Sequence, residues 1–226
     1  MDKKLNWYET VKSVIFHSKD FFKKMPVSGG FGEPFRFALV NIILSAILTT
    51  GTVALRQALF PDIELQAALS LLGIDLNIYL ISIAILTVVF GSIGIFISSA
   101  IYHLFLKIVG AKKSYEATFR TFAYLTAFSL LSWISAINTL PTIIIGVIIS
   151  LYVLYVMIMA FRDVHDITTA RAVISVVLVI VLFIIIVVII SIIVGMFAYL
   201  WVMGMQQQIA DQTNQQFLDQ LSKASP

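Results

Sequence analysis
From Ala172 to Met205 the chain runs for 34 residues without a single charge. A hydrocarbon core of about 30 Å is crossed by roughly 20 helical residues. Inside that core every backbone N–H and C=O must be paired within the protein, which leaves helices or closed barrels. The run is too short to cross twice and turn, so it predicts one long helix. Four further apolar runs precede it: Phe37–Leu55, Ile78–Leu106, Thr121–Ile137 and Thr142–Phe161. None contains Asp, Glu, Lys or Arg. Ile78–Leu106 exceeds the length a bilayer needs and is expected to tilt or project. Asn138–Pro141 separates the third and fourth runs and predicts a tight helical hairpin, with Pro141 tolerated in a first turn. The mean hydropathy is +0.99 and charged residues make up 12%, about half the usual share of a soluble domain. The expected fold is all-α, an integral membrane five-helix bundle over 37–205. A cytoplasmic amphipathic segment, 1–36, precedes it and a polar C-terminal tail, 206–226, follows. Residues 1–36 lack the short apolar core of a cleavable signal sequence, so the first run is expected to act as an uncleaved anchor.

Charge orients these spans. Thirteen of the 15 lysines and arginines fall in the N-terminal segment and in the loops after the second and fourth runs. Arg56 and Lys223 alone fall in the alternate segments. Cytoplasmic loops are enriched in Lys and Arg, which places the N-terminus inside and the C-terminus outside. The 56–77 loop, with Asp62, Glu64 and Asp75, then lies outside as well.

Two stretches beside the spans carry more detail. In the first, Trp7, Val11, Val14, Ile15, Phe21, Phe22 and Met25 recur at helical spacing with Lys12, Lys19, Lys23 and Lys24 between them. This is the pattern of an interfacial helix with aromatics inserted and lysines near anionic lipid. A helix packed on the protein's own cytoplasmic loops has the same pattern. The second is Gly110–Tyr124, "GAKKSYEATFRTFAY". Gly110 suits a helix stop, Ser114 an N-cap, and Glu116 the first turn of the next helix, where negative charge is favoured. Lys112 and Lys113 lie at the surface, Tyr115, Phe119, Phe122 and Tyr124 form an interfacial aromatic group, and Arg120 is expected to snorkel to the headgroups.

Little in the chain points to catalysis. It has no cysteine, hence no disulfide, thiolate metal site or cysteine nucleophile. No P-loop, dinucleotide, nucleophile-elbow or zinc-protease pattern occurs. No catalytic, cofactor-binding or metal residue is expected, and no nucleic-acid partner. Asp163–Asp166, "DVHD", reads as a solvated loop whose carboxylates pair with Arg162 or Arg171, with His17 as the nearest further metal ligand. Buried charge marks proton and ion paths, and its absence argues against a coupled pump. The intramembrane polar candidates are Asn41 and His103, each suited to an inter-helix hydrogen bond or to lining a solute path. Small residues spaced four apart (Ala46, Thr50 and Ala54; Gly94 and Ser98; Gly146 and Ser150) suit close helix packing, inside the bundle or between copies.

The stretch "HLFLKIVGAKKSYEATFRTFAY", His103–Tyr124, resembles the central signature of the Yip (Ypt-interacting protein) domain family. The elements that match are His103, Lys107, Gly110, Ser114, Tyr115, Thr118, Phe119, Arg120, Ala123 and Tyr124. "DFFKKMPVSGGFGEPFRFAL", Asp20–Leu39, resembles the segment ahead of the first span, and "FRDVHDITTARA", Phe161–Ala172, the loop between the last two spans. Together they reach from about residue 15 to 190. The resemblance implies a small five-span protein with a cytoplasmic N-terminus. Eukaryotic members are linked to prenylated Rab-type GTPases and membrane traffic. They carry Asp-Leu-Tyr-Gly-Pro where this chain has "GEPF", Gly32–Phe35, and a later Gly-Tyr with no counterpart here. The chain is therefore similar to the prokaryotic branch, and Rab-type GTPase binding is not carried over. The expectation is a non-enzymatic partner-binding or membrane-organising scaffold in the cell membrane of a prokaryote. Its contact with anionic headgroups, a membrane-protein partner or a second copy is expected at Lys112, Lys113, Tyr115 and Arg120. The alternative is a small transporter or channel lined by Asn41, His103 and Ser/Thr groups.

Overall fold
A computed structural model describes residues 6–224, with side chains to residue 208. Lys3, Lys4 and the side chain of Lys223 lie outside the described residues. The described residues form helices and no strand, in two units, Met1–Leu178 and Val179–Pro226.

The first unit opens with α1 (Trp7–Phe16) and α2 (Ser18–Lys24). Asn6 and Glu9 close a capping box on α1, each side chain bonding the other's backbone N–H. Next comes α3 (Gly32–Leu59), a short α4 (Ile63–Leu71) and then α5 (Leu76–Ile108). The acidic residues of the 56–77 loop serve as caps: Asp62 accepts from Leu65 N and Asp75 from Asn77 N. The α5 helix stops where Gly110 takes φ +90°, with Ala111 N–H donating to Leu106 O. Then α6 (Tyr115–Leu125) passes into a 3-10 stretch (Thr126–Leu131) and α7 (Trp133–Ala136). Finally α8 (Leu140–His165) starts from a Thr139–Thr142 capping box at the expected hairpin, and α9 (Thr169–Ala224) follows. Ser114 holds the expected N-cap position of α6, yet its hydroxyl bonds no backbone N–H there.

Among the described residues, four helices are long and apolar enough to cross a membrane: Gly32–Leu59, Leu76–Ile108, Leu140–His165 and Thr169–Gln208. The third expected run, Thr121–Ile137, is not one helix. Thr126 Oγ1 donates to Ala123 O and Ser129 Oγ to Thr126 O. Such local hydroxyl bonds compete with the α-helical ladder and tighten it into the 3-10 form. The segment still keeps a steady register against α8. Thr118 meets His165, Phe122 meets Phe161, Phe128 meets Tyr152, and Ser135 meets Gly146. It therefore runs antiparallel to α8 along most of that helix. Against α3 it runs parallel, with Asn41 bonded to Thr126, Ser45 to Ser129, and Thr49 to Ser132.

Three apolar clusters hold this unit. One joins Val14, Phe22 and Met25 to Phe37, Tyr124, Phe128, Val156 and Val164. The second joins Leu106 and Ala111 to Phe161, Ile167, Ala172 and Val176. The third joins Ala38 and Ile42 to Ile95, Phe119 and Ala123. The amphipathic N-terminal segment is thus two helices whose apolar face covers the protein's own α6 and α8. Trp7, Tyr8 and Phe16 remain exposed. Among the small residues, Ala46 is buried and Gly146 lies against Ser135, so both serve packing within the chain, while Gly94 faces open space. In the second unit α9 continues past Met205 to Ala224. Its apolar side chains up to Met205 are exposed, as lipid contact requires.

A Cβ at Gly110 would be held in the left-handed region, 3.4 Å from the Arg171 guanidinium, a strain of about 1–2 kcal/mol. Gly110→Ala is expected to lower the apparent unfolding temperature in detergent by about 4 °C. Gly94→Ala, which meets no atom within 4 Å, is expected to leave it unchanged or raise it.

Candidate functional site: the basic end of the bundle
At one end of the first unit the α5–α6 turn, the α8–α9 turn and the N-terminal helices come together. Ala111 and Ile167 share a cluster, and the Arg171 guanidinium lies over Gly110. The α6 helix enters the bundle here, and from Ala117 to Leu125 only Phe122 escapes full burial.

Three polar constellations fix α6 in place. In the first, Arg120 is 2% exposed. Its Nε donates to Glu116 Oε1 at 3.2 Å, Nη2 to Gly30 O at 3.0 Å and Nη1 to Pro26 O at 3.4 Å. The same Glu116 oxygen accepts Gly30 N–H at 2.6 Å. The glycines are needed: Gly29 and Gly30 have φ +127° and +87°, and a Cβ on Gly29 would stand 2.9 Å from Arg120 Nη2. Phe31 then packs edge-on against Phe119 and at a tilt against Tyr115. In the second, Thr118 Oγ1 lies 2.8 Å from His103 Nδ1 and 3.1 Å from His165 Nε2. One hydroxyl thus joins α5, α6 and α8. His165 is buried, and its Nδ1 has no partner among the described residues. Tyr115 OH adds a link to α5 through Ser99 Oγ and Phe96 O. In the third, Asn41 is fully buried, accepts the Trp7 indole N–H at 3.0 Å and donates to Thr126 Oγ1 at 3.2 Å.

The expected site residues therefore separate. Lys112 is exposed and Lys113 half-buried on the α5–α6 turn, with Tyr115 half-buried beside them. Arg120 does not snorkel and is no surface contact. Its guanidinium is consumed by Glu116 and two carbonyls roughly ninety positions earlier in the chain. Asn41 and His103 take the inter-helix hydrogen bonds and do not share one path. Arg162 pairs with Asp163 at 2.7 Å, as the charge pattern implies. His165 of the same "DVHD" is the last residue of α8 and lies inside, not in a solvated loop. Its place in line with Phe161 and Val164 on the packed face was the available signal.

Besides Lys112, the exposed bases at this end include Lys12, Lys19, Lys23, Lys24, Arg36, Lys107 and Arg171. Chemically the site presents cationic donors outward. Arg120→Gln leaves the half-buried Glu116 carboxylate without its cation and two carbonyls without their donor, at a cost of about 3 kcal/mol. The N-terminal helices should then open, read as faster trypsin cleavage after Lys23 and Lys24 together with a lower unfolding temperature. Lys112→Gln should change neither.

Among protein-family models, the Yip1 domain matches residues 12–190. No curated protein and no solved structure matches the chain.

Proposed function
Because the chain belongs to the Yip1 domain family of multi-pass membrane proteins, we propose that it acts without catalysis, as a membrane-organising or partner-binding scaffold whose basic end faces the cytoplasm. One observation carries this reading. Asn41, His103 and Thr118 inside the bundle are bonded across helices, while most of the exposed lysines and arginines gather at one end. Lys112, Lys113 and Tyr115 form the contact, with anionic headgroups, a membrane-protein partner or a second copy as its object. The topology in this reading is five crossings, with the N-terminus inside and the C-terminus outside. The antiparallel register of the 115–136 segment along α8 supports it, since that segment follows a spanning helix for most of its length. The "GEPF" departure keeps the chain with prokaryotic-type members and gives no basis for Rab-type GTPase binding.

A second reading, a small transporter or channel, has one observation in its favour. A cavity of ≈ 430 Å³ lies between the 3-10 stretch and α8, lined by Thr126, Ser129, Ser132, Ser135 and Ser150 hydroxyls. Broken helices at membrane depth are tolerated where they line such a space. Flux of glycerol-sized neutral solutes into proteoliposomes, lost in Ser132→Leu, is the outcome this reading requires.

For the scaffold, chain reconstituted in nanodiscs should capture phosphatidylglycerol vesicles. The double variant Lys112→Gln/Lys113→Gln should weaken capture about thirtyfold, since each basic residue contributes about 1 kcal/mol near an anionic surface. Undiminished capture overturns the assignment. Reporter fusions on the two termini should report opposite sides of the membrane.

A further inference from the structure
The N-terminal helix forms a cleft against α3 that the lysine-bearing turn does not share. Its volume is ≈ 610 Å³, and its lining includes Trp7, Thr10, Arg36, Phe37, Val40 and Tyr124. The α1 wall is fixed and has no free donor of its own. The Trp7 indole N–H goes to Asn41 Oδ1, and the Thr10 hydroxyl donates to Asn6 O. Two donors do remain. Tyr124 is 8% exposed, its ring packed on Phe21 and Phe37, yet its hydroxyl has no hydrogen-bond partner among the described residues. Arg36 is exposed at the cleft and pairs with no carboxylate among the described residues.

The position of these donors limits what fits. Arg36 directly precedes the apolar run that begins at Phe37, which sets it at headgroup depth. Phe37 and Val40 carry the cleft onward along the spanning helix, so its contents are wet at one end and oily at the other. A guanidinium and a phenol on residues that line one space suit an oxyanion, with charge-assisted bonds stronger than neutral ones. Glu33 also lines the cleft and has a partner of its own; the oily end over Phe37 and Val40 selects a phosphodiester that carries an acyl chain over free phosphate.

We propose that this cleft is a binding site for one glycerophospholipid, whose phosphate accepts from Arg36 and Tyr124 and whose acyl chain lies over Phe37 and Val40. The site is separate from the lysine turn and does not depend on the scaffold reading.

Native mass spectrometry of the full chain, purified and titrated with defined lipids, tests it. One phosphatidylglycerol or phosphatidylethanolamine should be retained per chain, and diacylglycerol of the same acyl chains should not. Glycerol phosphate and inorganic phosphate should fail to displace the lipid. Arg36→Gln and Tyr124→Phe should each lower occupancy about tenfold, the usual loss when a bond to a charged group is removed. Tyr124→Phe keeps the ring and its packing, so an unchanged unfolding temperature separates the effect from misfolding. Lys112→Gln/Lys113→Gln should leave occupancy intact while weakening vesicle capture. Equal retention in both cleft variants, equal retention of diacylglycerol, or displacement by soluble phosphate would each overturn the proposal.

Discussion
Taking a guanidinium out of water costs several kcal/mol unless its charge and its donors are matched, and Arg120 is almost wholly withdrawn. Its match is drawn from two distant parts of the chain. Glu116 lies one turn back on α6, and the carbonyls of Pro26 and Gly30 lie in the loop between α2 and α3. Glu116 returns the favour by accepting Gly30 N–H. The ion pair is thus complete only when that loop is folded onto α6. The loop in turn sets the exit of α2 and the start of α3. Through Phe22 and Met25 it also sets the cover over α8. A helix as polar as α6 is kept inside the bundle because Arg120, Thr118 and Thr121 each have a specific counterpart.

The rest of the polar interior obeys the same constraint by cheaper means. Hydroxyls at Thr126 and Ser129 bond carbonyls of their own turn, while Ser45 and Thr49 reach across from α3. The break in regular helix is therefore satisfied where it occurs, as an apolar surrounding demands. Thr118 is the most economical case, since its single hydroxyl lies within bonding distance of two imidazoles on two other helices.

How legible was this in the sequence? Four of the five apolar runs, the stop at Gly110 and the turn at Asn138–Pro141 rest on local rules of length, glycine and proline, and each of these is found in the structure. The two alternatives for the N-terminal segment could not be separated by periodicity. An amphipathic face looks the same whether it meets lipid or protein, and here Val14, Phe22 and Met25 meet protein. Arg120 was misread for the same kind of reason. A lone arginine near a span end has snorkelling as its local solution, and its actual partners lie far off in sequence. The splitting of 115–136 into three pieces turns on a few Ser and Thr hydroxyls, whose bonding depends on neighbours the pattern does not reveal. His165 was placed in a loop because carboxylates flank it, although its apolar i−4 neighbour, Phe161, belongs to the packed face.

These misreadings share a direction that bears on function. Arg120 is engaged by a distant part of the chain, and Asn41 and His103 make the inter-helix hydrogen bonds expected of them. The residues left over are the bases of the turns and of the N-terminal helices, together with Arg36 and the Tyr124 hydroxyl at the cleft. Unsatisfied donors persist in a folded protein only where water or a ligand meets them. On the proposed topology these groups fall where a bilayer has its phosphates, which is why headgroup chemistry, rather than chemistry among the spans, is the binding proposed for this fold.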